Sequence, residues 1–370
     1  MIAALRPIAA ALMVAGVLLM SETIAAGAPT RKRPQTASRL KIERVFGPEI
    51  RTGPYKHPAS LTELKNGDLL LAYYGGEGEY AVDTGVFVAR LRKGSTRWGR
   101  PRLAARDPFR SLGNAVVWQA PDGLVWLIYV VRWGETWSTS RIQAKVSKDA
   151  GATWSDSMVV SETQGEMVRG APIVLKSGHY LLPIYHETGF HTEIVGPDST
   201  SRFLRFDLKK KSWEPWGETR SAKGNIQPAV VELQPGHLVA YCRRGGGYDP
   251  VTDGYMIRSE SRDGGRTWDE GKDARFPNPN AAVDFLKLRN GHLVLLYNDH
   301  MYRRTPLVAG LSTDGDRTWS HKRAIESGPK DYGYPFGIQA SDGKIHLVYT
   351  TEKRSVVMHA VFDEEWIRGQ

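Results

Sequence analysis

Six times along the chain, a turn containing glycine leads into a short apolar strand rich in Leu, Val and Tyr. The copies are Asn66-Gly67 before Asp68–Tyr74, Asp122-Gly123 before Leu124–Val131, and Ser177-Gly178 before His179–Tyr185. Pro235-Gly236 before His237–Tyr241, Asn290-Gly291 before His292–Tyr297, and Asp342-Gly343 before Lys344–Tyr349 complete the series. Successive glycines lie 56, 55, 58, 55 and 52 residues apart. A period of about 50 residues marks a propeller or another repeat array. Each unit has room for about four short strands, the content of one propeller blade. Asn-Gly and Asp-Gly favour hairpin turns, because both residues tolerate positive φ. The expected fold is all-β: a six-bladed β-propeller with four-stranded antiparallel blades.

A second motif recurs in phase with the first. Ser147, Asp149, Gly151, Thr153 and Trp154 follow the pattern S-x-D-x-G-x-T-W, as do Ser261, Asp263, Gly265, Thr267 and Trp268. A third copy has Ser312, Asp314, Thr318 and Trp319, with Asp316 in the glycine position. Lys93–Trp98 and Lys211–Trp213 read as worn copies. The Asp side chain can accept from amides of its own turn, and the glycine permits a left-handed residue. This octapeptide is the Asp-box of sialidases and related propellers. From about Arg51 to the C-terminus the chain resembles the bacterial sialidase-like family with BNR repeats. In that family Asp-boxes are hairpins away from the catalytic face, so Asp149, Asp263 and Asp314 are expected to be structural.

The ends and the charge set the setting. Arg6 precedes an apolar run from Ile8 to Met20, and Ile24, Ala25 and Ala26 offer a small-residue cleavage site. Residues 1–26 therefore read as a signal peptide, and the mature chain as periplasmic or extracellular with no membrane insertion after cleavage. Residues 27–45, with Arg31, Lys32, Arg33 and Pro34, read as a basic flexible leader, and 46–370 as one propeller domain. Cys242 is the only cysteine, so the core must carry stability without an intramolecular disulfide, and the thiol reads as a small buried hydrophobe. The net charge of +10 favours anionic partners. Acidic glycans, nucleic acid and anionic lipid all fit that charge, which does not choose between them; no nucleic-acid motif accompanies it, and the resemblance implies an acidic glycan.

Sialidases grip the substrate carboxylate with three arginines and use an Asp acid/base and a Tyr nucleophile assisted by a Glu. Arginine suits the first task because its planar fork matches a carboxylate. A neutral phenol can approach an anomeric carbon that already bears a carboxylate, where an anion would be repelled, but it then needs a base. Carried over by motif, the resemblance implies Arg243 as the second arginine and Arg304, eight residues before Ser312, as the third. It implies Tyr334 as the nucleophile and Asp83 as the acid/base, with Glu77 and Glu79 as rivals. Two positions depart from the family. Where its first arginine falls the chain has Lys56-His57-Pro58, so His57 or Lys56 is expected to complete the carboxylate clamp, and where the assisting Glu falls it has Gln227, which cannot act as a base. Arg169, before an inner strand, and His186, at the end of one, are further candidates for the central funnel. The His186-Glu187…His191 spacing is one residue longer than the zinc helix motif and does not read as a helix, so no metal or other cofactor is expected. The functional reading is an exo-glycosidase acting on a terminal acidic sugar, with a polysaccharide lyase or a non-catalytic glycan-binding propeller as alternatives.

Overall fold

The computed structural model describes residues 39–192 and 194–369. The expected signal peptide and the leader up to residue 38 lie outside the described residues. Six antiparallel sheets follow one another along the chain. Blade 1 contains Tyr55–Glu63, Leu69–Gly76, Gly85–Leu91 and Arg102–Arg106. Blade 2 runs from Leu112 to Ser161, blade 4 from Asn225 to Pro277, and blade 5 from Asp284 to Glu326, each with four strands. In blade 3, Glu166 to Thr219, the innermost strand is split into Glu166–Val168 and Ile173–Val174.

Blade 6 takes three strands from the C-terminal end, Gly333–Gln339, Ile345–Thr351 and Val356–Phe362. Its outermost strand is Lys41–Phe46, with Ile42 opposite Ala360 and Glu43 opposite His359. This corrects the expected leader: residues 41–45 are sheet. A propeller leaves only short, protected edges, and the N-terminal strand sewn onto the last blade joins the two ends of the ring. Glu43 accepts from His359 Nδ1 at 3.0 Å across that seam.

The turn glycines do what the repeat requires. Gly67, Gly123, Gly178, Gly236, Gly291 and Gly343 all have φ between 78° and 93°, a region costly for residues with a Cβ. After each turn comes the second strand of a blade, buried on both faces between neighbouring sheets; Leu69–Gly76 and Val125–Arg132 are buried throughout. Cys242 is one of these core residues, and burial pushes its thiol up to about 12.

The Asp-boxes are hairpin clasps. Asp149 accepts from Thr153 N at 2.8 Å, Thr153 Oγ1 at 2.6 Å and Ser147 Oγ at 2.7 Å. Asp263 repeats the pattern. Asp316, in the glycine position of the third box, has φ 75°. Its carboxylate accepts from Tyr241 Oη at 2.7 Å and Arg258 Nη2 at 2.6 Å, so it ties blade 5 to blade 4.

Candidate functional site

The chain makes its site from an irregularity that recurs from blade to blade. Near the start of four innermost strands the regular pairing breaks. Register shifts fall between His57 and Ala59, Gly113 and Val116, Ile226 and Ala229, and Gly333 and Phe336. The residues at these breaks, with their equivalents in blades 3 and 5, are His57, Asn114, Arg169, Gln227, Asn280 and Tyr334. Four of them are left-handed: Asn114 (φ 41°), Gln227 (53°), Asn280 (52°) and Tyr334 (58°). A non-glycine residue in that region costs roughly 1–3 kcal/mol and persists only where its surroundings hold it. Here the bulges turn polar side chains toward the centre of the ring.

Arg243, on the second strand of blade 4, gathers them. Its Nε donates to Asn280 Oδ1 at 2.6 Å and its Nη2 to Tyr248 Oη at 3.0 Å. Its Nη1 donates to Tyr334 Oη at 2.9 Å and to Gln227 Oε1 at 3.3 Å. Arg304 stands on the other side of the tyrosine, its guanidinium carbon 5.4 Å from the rings of both Tyr334 and Tyr248. Three of the expected residues, Arg243, Arg304 and Tyr334, thus meet at one point.

A third guanidinium, absent from the sequence reading, comes from Arg354. It lies in the hairpin between the second and third strands of blade 6, where Glu352, Lys353 and Arg354 are all left-handed (φ 52°, 54° and 66°). Its Nη1 donates to Tyr55 Oη at 3.1 Å and pairs with Glu79. Burial pushes the Tyr334 phenol up, but Arg243, Arg304 and Arg354 together outweigh it, and the phenol falls below its ordinary value. Opposite charge within a few ångströms favours the ionised form of an acid.

Neither residue in the position of the family's first arginine supplies charge to the cleft. The Lys56 side chain turns away, and its Nζ donates to Gly53 O. His57 packs edge-on to Tyr334 at 4.1 Å, with Nδ1 2.7 Å from Thr350 Oγ1. Burial, followed by the fields of Arg354, Arg304, Arg169 and Arg243, holds its imidazole well below its usual pKa, so the ring is neutral. Its Nε2 is buried and has no hydrogen-bond partner among the described residues.

Arg169 lies behind the tyrosine rather than in the cleft. Its Nη2 donates to the carbonyls of Tyr334 (2.8 Å) and Pro335 (3.0 Å), bracing the bulge that aims the phenol. His186 points out of the funnel toward Glu166 and Arg202, and burial and Arg202 lower its pKa. Gln227 bridges the site's two halves, accepting from Arg243 and donating from Nε2 to Tyr185 Oη at 3.4 Å.

The carboxylates sort differently from expectation. Asp83 caps its own loop, accepting from Glu77 N at 3.1 Å, and Glu77 is exposed. Glu79 reaches inward. With Glu187, Tyr185, Gln227, Arg243 and Tyr334 it lines a narrow pocket of about 30 Å³ that also reaches Trp137 and the exposed Thr192. Burial raises Glu187 to about 7 against the pull of Arg243, with Glu79 adding to the rise. Outward from Arg304 and Arg354 a second, open cleft of about 530 Å³ runs between blades 4, 5, 6 and 1.

A tyrosine at the axis of six blades, ringed by guanidinium groups and backed by the carboxyls of Glu79 and the buried Glu187, defines a propeller of the sialidase-like class. The chain belongs to the BNR repeat-like domain family, whose model matches residues 67–347. Among curated proteins, none matches it. Among solved structures it is similar to a Hadza microbial sialidase at 17% identity and TM-score 0.71, covering 85% of this chain and 67% of that one. It is similar to a protein of unknown function from Dyadobacter fermentans at 16% identity and TM-score 0.71, covering 89% and 99%. A third likeness is to the intramolecular trans-sialidase from Ruminococcus gnavus, at 14% identity and TM-score 0.69, covering 88% and 98%. At such identities the likeness establishes the fold.

Proposed function

We propose that this chain is an exported glycosidase that removes a terminal acidic sugar from a glycan. The observation that carries the reading is the setting of Tyr334. Its phenol is held at 2.9 Å by Arg243 and sits within the fields of Arg304 and Arg354. Those guanidiniums suit a sugar carboxylate, each offering a planar donor pair. With the carboxylate neutralised, the ionised Tyr334 oxygen attacks the anomeric carbon as the bond to the leaving oxygen breaks. The leaving oxygen takes a proton that starts on Glu187, protonated up to about pH 7, and passes through Glu79, which takes the part expected of Asp83; both line the same inner pocket. Water then displaces the tyrosine as phenolate, and the proton the water loses returns by the same route to Glu187. Lowering the phenol's pKa with cations is an alternative to a neighbouring base, and it answers the exchange of Glu for Gln227.

That exchange also favours a second reading. With both ends of the Gln227 amide engaged, no carboxylate among the described residues bonds the phenol. A phenol acidified by cations can instead remove the proton α to a uronate carboxylate, as a lyase would, with Arg243 steadying the enolate-like charge. A screen of fluorogenic sialosides and glucuronides alongside polyuronates separates the readings. A glycosidase releases the aryl alcohol, and a lyase yields an unsaturated product that absorbs in the ultraviolet. Tyr334→Phe is expected to abolish turnover while keeping binding of the acidic sugar; unchanged turnover in that variant would remove Tyr334 from the chemistry. Tight binding by the wild type with no product from any substrate would mark a glycan-binding propeller instead.

A further inference from the structure

We propose that the open cleft contains a second anion subsite, so that the preferred substrate carries another negatively charged residue next to its terminal acidic sugar. The inference rests on the reading that the terminal carboxylate sits among Arg243, Arg304 and Arg354. Of the two cavities that meet at that point, the cleft of about 530 Å³ is far wider than the inner pocket of about 30 Å³. The wider cleft is the one with room for the rest of the glycan.

The outer wall of that cleft carries more charge than one carboxylate uses. Arg303 and Lys353 both line it, and both are exposed. Among the described residues neither makes an ion pair. The one acidic residue on the same wall is Asp331, itself exposed. Two tyrosines flank the opening, Tyr248 and Tyr302, 38% and 39% exposed. Half-exposed aromatic rings beside cations suit a sugar that has both an apolar face and a charge.

The backbone places these cations deliberately. Lys353 stands at the middle of three consecutive left-handed residues, Glu352, Lys353 and Arg354. Such a run is costly without glycine, and it presents Lys353 beside Arg354. Arg303 precedes Arg304 in the same way, its guanidinium carbon 5.8 Å from the Tyr302 ring. Each inner arginine thus has an outer cationic neighbour, an arrangement that matches two successive anionic residues of one glycan.

The test uses three substrates: an aryl glycoside of the acidic sugar, a disaccharide in which that sugar is joined to a second acidic residue, and one in which it is joined to a neutral residue. Disialic acid against sialyllactose is one such pair, and a diuronate against a glucuronyl hexose is another. The wild type is expected to favour the doubly acidic member by about three- to tenfold in kcat/KM, the scale of two exposed charge pairs. The preference should shrink in high salt. In the double variant Arg303→Gln/Lys353→Gln it should vanish, with the aryl glycoside turned over as before. No preference in the wild type, or a preference that survives the double variant, overturns the subsite. If no substrate is turned over, the glycosidase reading fails on its own. Calorimetric affinities of the same disaccharides for the wild type and the double variant then decide the subsite by the same comparison.

Discussion

Replacing Arg243 with alanine tests the heart of the site, because one side chain holds four partners there. The truncation removes bonds to Asn280 Oδ1 (2.6 Å), Tyr334 Oη (2.9 Å), Tyr248 Oη (3.0 Å) and Gln227 Oε1 (3.3 Å). It also removes one of the guanidiniums that acidify the phenol. Truncating one partner of a buried, hydrogen-bonded charge pair costs about 2–5 kcal/mol. At about 1.4 kcal/mol per decade, kcat/KM on an acidic substrate should fall about 30- to 4,000-fold. The informative assay compares a fluorogenic acidic glycoside with the same compound as its carboxamide. The wild type should strongly favour the acid, and Arg243→Ala should lose most of that discrimination. With the phenol less acidic, any activity limb that tracks its ionisation should move to higher pH. Circular dichroism and a thermal melt confirm that the variant is folded. A folded variant with kcat/KM on the acid within twofold of wild type would refute the assignment of Arg243 and the charge argument built on it.

Glu187 makes stability depend on pH. Its folded pKa of about 7 lies above the ordinary 4.5, so it contributes stability in full below about pH 4.5 and loses it as pH rises through about 7. The difference amounts to roughly 3 kcal/mol. Asp284, raised to about 6 mainly by burial, adds in the same direction. Urea unfolding at pH 5 and pH 8 should show Glu187→Gln losing less stability across that span than wild type; parallel losses would count against a buried, protonated Glu187. Deleting the chain up to Phe46 removes the outer strand of blade 6 and should lower Tm well beyond the loss expected of a frayed end, whereas an unchanged melt would mean the ring closes without it. Asp263→Ala, which opens an Asp-box hairpin, should lower Tm while leaving kcat/KM on a small substrate within twofold, and a large catalytic loss would contradict a purely structural box.

The fold was legible because its signal is local and repeated. Six turn glycines with positive φ announce six hairpins, and the Asp-boxes follow in phase. The bulge residues could also have been found by counting. His57, Asn114, Arg169, Gln227, Asn280 and Tyr334 stand 9 to 11 residues before the turn glycine of their blade. That register picks out Asn114 and Asn280, which no motif names. Arg354 was beyond such counting. It reaches Tyr55 and Glu79 only because ring closure sets blade 6 against blade 1, bringing together residues 299 and 275 positions apart in sequence. The strand at Lys41–Phe46 was hidden for the same reason, since its partner is Val356–Phe362. Asp83 and Glu79 share one short loop, and only the loop's path decides which carboxylate turns inward.

The most direct test is a crystal structure with sialic or glucuronic acid bound. The carboxylate should lie within hydrogen-bond distance of Arg243, Arg304 and Arg354, with the anomeric carbon facing the Tyr334 oxygen. A sugar held with its carboxylate turned to solvent, or seated away from Tyr334, would contradict it.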